Sequence, residues 1–411
     1  MSMQETDFLQ QIPKPCFLTV QLVQHWGGQA FLVGGLVRDW LLGNRSRLDS
    51  RPDWDLAVDL RGTGYTLTQL LQKLSQENNG RYVSHQQFLT GTVTLPNLRI
   101  DISHTRNERY PEPAVLPRVK PDGIEADLLR RDFTVNALAV TLTGDKPGTV
   151  IDPTGGGADL EARLIRIIHP NSFIDDPTRI FRAIRFAARL NFAIESGTLF
   201  LLRTAVREGY LRRLTPERVL YELRCVCAEA TAFKILEAAL KEGVLAGCFE
   251  WSKPKFLQAE LDKLSRAGIS GELLFMYLLS RLPVDSSFPI SRAEQQVRLA
   301  IRDFRRTANR LRRAKRRSTV YQLLMRLPAP ALEILAALNT GVIKRRLKLY
   351  LAEVSKIQPE LTAAELLAAG VKPGPKLGKM LKKLLWAKLD RQVKTREDEM
   401  VLINRIRGRS G

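Results

Sequence analysis

Four short apolar runs stand out in the first third of the chain: "AFLVGG" (30–35), "DWDLAVDL" (53–60), "GTVTLPNLRIDIS" (91–103) and "ALAVTLTG" (137–144). Their alternating or continuous β-branched and apolar residues predict strands, and helix-length segments separate them, which points to an α+β domain. After "DPTGGGADL" (152–160) the strand signal fades. From "DDPTRIFRAIRFAARLNF" (175–192) onward, apolar residues recur at three- and four-residue spacing among Leu, Ala, Arg and Lys, so the remaining chain is predicted to be almost wholly helical. Pro, Gly and Ser cluster at 281–295, 326–331 and 371–378, the candidate breaks. No internal repeat is visible.

With 411 residues the chain exceeds one compact core and predicts about two to four domains. Charge changes the picture more than length does. Lys and Arg number 64 against 43 Asp and Glu, a formal net charge of +21 that favours a polyanionic partner. The excess is densest at 302–318, "RDFRRTANRLRRAKRRS", where nine basic residues face one acid. Arg305, Arg306, Arg310, Arg312, Arg313, Lys315, Arg316 and Arg317 there, and Lys376, Lys379, Lys382 and Lys383 in "KLGKMLKKLLWAK", suit RNA phosphates. Cys16, Cys225, Cys227 and Cys248 lack the paired spacing of a zinc site and read as core thiols of a reducing compartment. No run approaches the ~18 apolar residues of a spanning helix, and the first residues lack a signal pattern, so the expected location is cytoplasmic, away from membranes.

Chemistry enters at residues 33–55. A strand ending in Gly34-Gly35 lets the chain turn with no Cβ in the way of a phosphate, and "LVRDWLLG" then starts a helix. The pattern is neither a dinucleotide fingerprint nor a Walker loop. In Asp53-Trp54-Asp55, period-2 geometry puts both carboxylates on one strand face, where they can share hard divalent cations. Asp101 in "LRIDIS" can add a third carboxylate from a neighbouring strand.

Together with "RRDFTVNALAV" (130–140), "DPTGGGADL", "DDPTRIFRAIRFAARLNF" and "TPERVLYEL" (215–223), in that order, the stretch "GGLVRDWLLG…DWD" resembles the class II tRNA nucleotidyltransferase and bacterial poly(A) polymerase family. The resemblance is dense over residues 30–225 and returns in "AAGVKPGPKLGKMLKKL". It implies a polymerase-β-like nucleotidyltransferase head with a mixed sheet (20–160), then an all-helical neck (161–230), body (231–320) and basic tail (321–411).

The implied reaction is attack of an RNA 3′-hydroxyl on the α-phosphate of ATP or CTP, with Asp53 and Asp55 as catalytic carboxylates holding two Mg²⁺ ions. Gly34, Gly35, Arg38 and Arg106 are expected on the triphosphate, and Arg131 on phosphate. Asp132 and Asn136, at i and i+4, are expected on one helix face, reading ribose hydroxyls. Asp176 and Arg179 offer one acceptor and one donor, which matches the Watson–Crick edge of cytosine and adenine and mismatches that of uracil and guanine. The competing role for Asp176 is a helix cap. Asp175 stands where the family usually has Glu, and Thr215-Pro216-Glu217-Arg218 reads as structural support. The tRNA 3′ end is the expected substrate, for CCA addition or addition of the terminal A alone. Pro111, Pro113, Pro117 and Pro121 favour the latter by stiffening the segment between Asp101 and the RRD motif. A poly(A) polymerase and a non-enzymatic RNA-binding protein are the alternatives, and the oligomeric state is open.

Overall fold

The computed structural model describes residues 12–43, 53–248, 254–283 and 288–408. The opening residues, 44–52, 249–253, 409–411 and part of the 281–295 break lie outside them. The chain divides into two compact units, Met1–Glu222 with Lys234–Cys248, and Leu223–Phe233 with Phe249–Gly411.

In the first unit three predicted runs form β1 (Gln29–Val33), β2 (Asp53–Asp59) and β8 (Ala139–Thr141), the run 91–103 splits into the antiparallel β4 (Thr90–Leu95) and β5 (Leu98–His104), and β3 (Arg81–His85) and β9 (Val150–Ile151) join them. Their order is β3-β4-β5-β2-β1-β8-β9. The sheet is mixed: β2 runs parallel to β5, whereas β1 pairs antiparallel with β2 and β8. Leu32, Leu56, Val58, Ile100, Ile102 and Val140 are buried along its middle strands. One cover is the helix Leu67–Glu77, which buries Leu67, Leu70, Leu71 and Leu74 at helical spacing and begins with a Thr66–Gln69 capping box. A separate hairpin, β6 (Arg106–Arg109) with β7 (Arg118–Pro121), carries the proline-rich segment as its connection. Short helices and the long helix Thr178–Leu190 complete the unit, with the two-residue strands β10 (Leu164–Ile165) and β11 (Ala193–Ile194) paired in parallel.

The second unit is helical among the described residues, from Pro254–Arg266 to Arg396–Gly408. One of its apolar clusters joins Leu361, Leu366, Val371, Leu384 and Ile403. In the helix Phe304–Arg313, Phe304, Ala308 and Leu311 are buried, which leaves the arginines for the opposite face. Cys16 and Cys227 are buried free thiols, each pushed up to about 12 by burial, as inert core cysteines are.

Candidate active site

Strand β2 alternates as period 2 requires: Trp54 and Leu56 are buried while Asp53 and Asp55 are exposed on the same face. Parallel pairing sets Asp55 directly beside Asp101 on β5. The Asp101 carboxylate, however, accepts hydrogen bonds from Arg99 Nε (3.3 Å) and Nη2 (3.2 Å), and from Thr92 Oγ1. Among the described residues no three His, Cys, Asp or Glu side chains gather into a metal-holding group. Asp101 thus lies beside Asp55 with its carboxylate on Arg99 and Thr92.

Gly34 faces Asp55. Its φ of 77° and ψ of −144° suit glycine, and a Cβ there would lie 3.6 Å from Asp55 Oδ2 and 3.7 Å from Arg131 Nη1. Arg131 donates Nη2 to Asp127 (2.9 Å), while its Nε is buried without a hydrogen-bond partner. A carboxylate pair of hard oxygen donors, a gap kept open by a glycine and an orphaned guanidinium donor fit a divalent cation with a bound phosphate oxygen. The helix behind the glycines, Gly35–Leu41, is only two turns long.

Arg38 is buried rather than on the surface. It is 2% exposed, donating Nε and Nη2 to Asp39 Oδ1 (3.0 and 2.8 Å) and Nη1 to Asn136 Oδ1 (2.7 Å). The Asn136 amide donates to Asp132 Oδ1 (3.1 Å), and Arg182 donates Nε and Nη2 to Asp132 Oδ2 (2.8 and 2.6 Å). The expected helix face is corrected here: Thr134–Asn136 is a 3₁₀ turn entered through an extended Phe133 at φ −134° and ψ 150°. Phe133 is fully buried edge-on to Phe186, which forces that extended residue. The "DPTGGGADL" motif braces this turn. Asp152 accepts from the Gly156 and Gly157 amides, Asp159 accepts from Thr134 Oγ1, and a Cβ on Gly156 would strike the Thr134 carbonyl oxygen at 2.2 Å.

Burial alone would raise the Asp132 carboxyl, but the Arg182 charge and the Asn136 and Arg182 hydrogen bonds reverse this and hold it at about 2. A depressed carboxyl stabilises the fold fully above its ordinary value of 3.8, and this contribution fades as pH falls through about 2. Asp132→Asn should therefore cost about 1–3 kcal/mol near neutral pH, since Arg182 keeps part of its side chain in water and rehydrates. Thermal melts in an acid series check this: the gap between wild type and variant should narrow below about pH 4. A gap independent of pH would show that the ion pair does not carry it.

Asp176 takes the capping role and is held by an arginine besides. Its Oδ1 accepts from the Thr178 amide (3.0 Å) and Thr178 Oγ1 (2.6 Å), a capping contact, and from Arg218 Nη2 (2.6 Å). Arg179, 4% exposed, donates to Ser172 Oγ (2.6 Å) and the Arg130 carbonyl (2.8 Å), two bonds for a group with five N–H donors. Arg106 is bound to Glu108 and the Phe88 carbonyl, and burial beside Arg130 lowers its pKa.

Gly34, Gly35, Arg38, Asp55, Asp101 and Arg106 border one cavity of about 810 Å³, together with Arg131, Asp132, Asn136, Asp176 and Arg179, whereas Asp53 does not. Arg38, Arg99, Arg106, Arg130, Arg131, Arg179, Arg182 and Arg189 line it against Asp55, Asp101, Glu108, Asp132 and Asp176, so its balance is cationic. Sequence reasoning missed Arg182, Arg189, Arg130, Glu108 and the hold of Arg218 on Asp176. A signal for the first two was present: Arg182, Arg185 and Arg189 recur at three- and four-residue spacing, and all three guanidinium groups lie within 5.5 Å of the Phe186 ring centre.

In the second unit Arg305, Arg306, Arg310, Arg312, Arg313, Lys315 and Arg316 are exposed, as are Lys376, Lys379, Lys382 and Lys383. Arg317 is half-buried and paired with Glu353. Lys382 lies over the Trp386 ring at 4.9 Å.

Residues 30–166 match the poly(A) polymerase head domain. An A-adding tRNA nucleotidyltransferase of Geobacter sulfurreducens is 32% identical over 409 residues, covering 92% of this chain and 45% of that protein. The A-adding tRNA nucleotidyltransferase of Halalkalibacterium halodurans is 33% identical over 362 residues, covering 84% of this chain and 81% of that protein. The chain thus spans less than half the length of the first relative and most of the second. The Thermotoga maritima CCA-adding enzyme complexed with tRNA is similar at a TM-score of 0.75 and 26% identity, with 97% of each chain covered.

Proposed function

This chain belongs to the tRNA nucleotidyltransferase family, and from that premise we propose that it adds the terminal adenosine of CCA to tRNA, using ATP. The observation that carries the reading is the arginine-rich cavity that has Gly34 and the Asp55 carboxylate on its wall, a place for a triphosphate beside an acidic pair. The tRNA 3′-hydroxyl attacks the α-phosphate in line, a new O–P bond forms, and the bond to the β-phosphate breaks to release pyrophosphate. Asp53 and Asp55 would hold two Mg²⁺ ions, which would supply Lewis acidity and charge neutralisation.

The protein's own groups orient the reactants. Arg131, beside Gly34, donates to a phosphate oxygen, and Arg99 and Arg106 add positive charge at the cavity wall. Asp132 and Asn136, locked between Arg38 and Arg182, present a fixed surface to the ribose. Asp176 accepts from the adenine amine while Arg179 donates to the adjacent ring nitrogen. Their other contacts hold them in place. The exposed basic face of the second unit takes tRNA phosphates.

Restriction to the terminal A is supported by the two A-adding relatives and by the hairpin connection with Pro111, Pro113 and Pro117. Three tRNAs test it: one ending at the discriminator base, one with a single C added and one with CC. ATP incorporation confined to the CC-ended tRNA is the expected result. CTP incorporation on the first would make the protein a complete CCA-adding enzyme. Long A-tails on unstructured RNA would make it a poly(A) polymerase, and no incorporation anywhere would leave an RNA-binding protein.

A further inference from the structure

Half of the hairpin connection between β6 and β7 is exposed, yet Ala114 in its middle is only 8% exposed. Ala114 is also one of the few non-glycine residues with positive φ, at 65°. That left-handed backbone is disfavoured for a residue with a Cβ, so a surrounding contact must hold it. Two contacts do. The Ala114 amide donates to the Asp175 carbonyl (3.2 Å), and the Ala114 carbonyl accepts from Arg218 Nη1 (2.7 Å). The other arm of the same guanidinium, Nη2, binds Asp176 Oδ1.

One turn is thereby stapled from both sides: Ala114 to Asp175 directly, and Ala114 to Asp176 through the planar fork of Arg218. We propose that the Ala114 turn is a specificity latch that fixes the Asp175–Asp176 corner and so commits the base-reading pair Asp176–Arg179 to one nucleotide. Ala114 and Arg218 are positioning residues in this scheme. This inference rests on the reading of Asp176 and Arg179 given above. Cytosine and adenine carry the same amine and ring nitrogen at different distances from the ribose, so the pair can meet both bases only by shifting its acceptor and donor, and the latch opposes a shift of the acceptor. Arg179 is held separately, on Ser172 and the Arg130 carbonyl.

The test uses the full-length protein, a tRNA ending in CC, and kcat/KM for ATP and CTP measured separately. Ala114→Val forbids the left-handed turn, because a β-branched residue at positive φ is a steric outlier, whereas Ala114→Gly permits it. Arg218→Lys keeps the charge but gives a single point donor, unable to span both acceptors. The latch requires Ala114→Val and Arg218→Lys each to lower the preference for ATP over CTP about tenfold or more, while Ala114→Gly keeps the wild-type preference. Because the readout is a ratio between substrates, a general loss of folded protein does not move it, and two chemically different variants must agree. Arg179→Ala in the same assay separates the two layers. If it blurs nucleotide choice while Ala114→Val and Arg218→Lys leave the ratio unchanged, the latch is wrong and the base-reading pair survives. If Arg179→Ala keeps full discrimination, the base-reading assignment itself fails and the latch with it.

Discussion

Asp53→Asn and Asp55→Asn should each abolish nucleotide incorporation while leaving tRNA affinity nearly unchanged. The amide keeps the shape of the carboxylate but loses the charge that holds a divalent cation, and that cation contributes several kcal/mol to the transition state. At about 1.4 kcal/mol per decade, the loss is roughly three decades or more in rate. Both aspartates are exposed, whereas Trp54 and Leu56 on the same strand are buried, so neither substitution touches the core. Stability should change by less than about 0.5 kcal/mol, and relief of repulsion between the two carboxylates can even raise it. Single-turnover incorporation of labelled ATP on CC-ended tRNA, with binding and melting measured on the same preparations, checks the three parts together. Turnover retained in both variants would remove the two carboxylates from the reaction.

That acidic pair was legible in the sequence because strand periodicity is strict: one intervening residue returns a side chain to the same face. The strands β1, β2, β4, β5 and β8 were legible for the same reason, since each has an apolar face to bury. Strand β3, "RYVSH", was not, because it is largely exposed and its sequence has no apolar alternation to read. The Asp132–Asn136 pair shows a different failure. The spacing brings the two side chains together as expected, but burial of Phe133 overrides helix geometry and a 3₁₀ turn joins them instead. Arg38, expected on the triphosphate, borders the cavity, but nothing in the sequence signals that packing also makes it the buried strut between Asp39 and Asn136. Arg218 illustrates what a linear reading cannot supply. Its partners, Ala114 and Asp176, lie 104 and 42 residues away, and only the folded chain brings them to one guanidinium.

The same separation of faces gives the second large effect, on RNA binding. Replacing Arg305, Arg306, Arg310, Arg312 and Arg313 together with Gln should raise the tRNA Kd on the order of a hundredfold at moderate salt. Each arginine that neutralises a phosphate releases a counterion, so the slope of log K against log salt should shrink by about 0.7–0.9 for every phosphate no longer neutralised. The helix itself survives this change, because Phe304, Ala308 and Leu311 supply its buried face and Gln is a good helix former. Turnover at saturating tRNA should stay close to wild type, since none of the five borders the arginine-rich cavity. Binding isotherms at several salt concentrations, alongside kcat at saturating tRNA, decide the matter. An unchanged slope would move the RNA surface away from this helix, with Lys376, Lys379, Lys382 and Lys383 as the next group to neutralise, whereas a drop in kcat at saturating tRNA would mean that the helix positions the 3′ end as well as gripping the backbone.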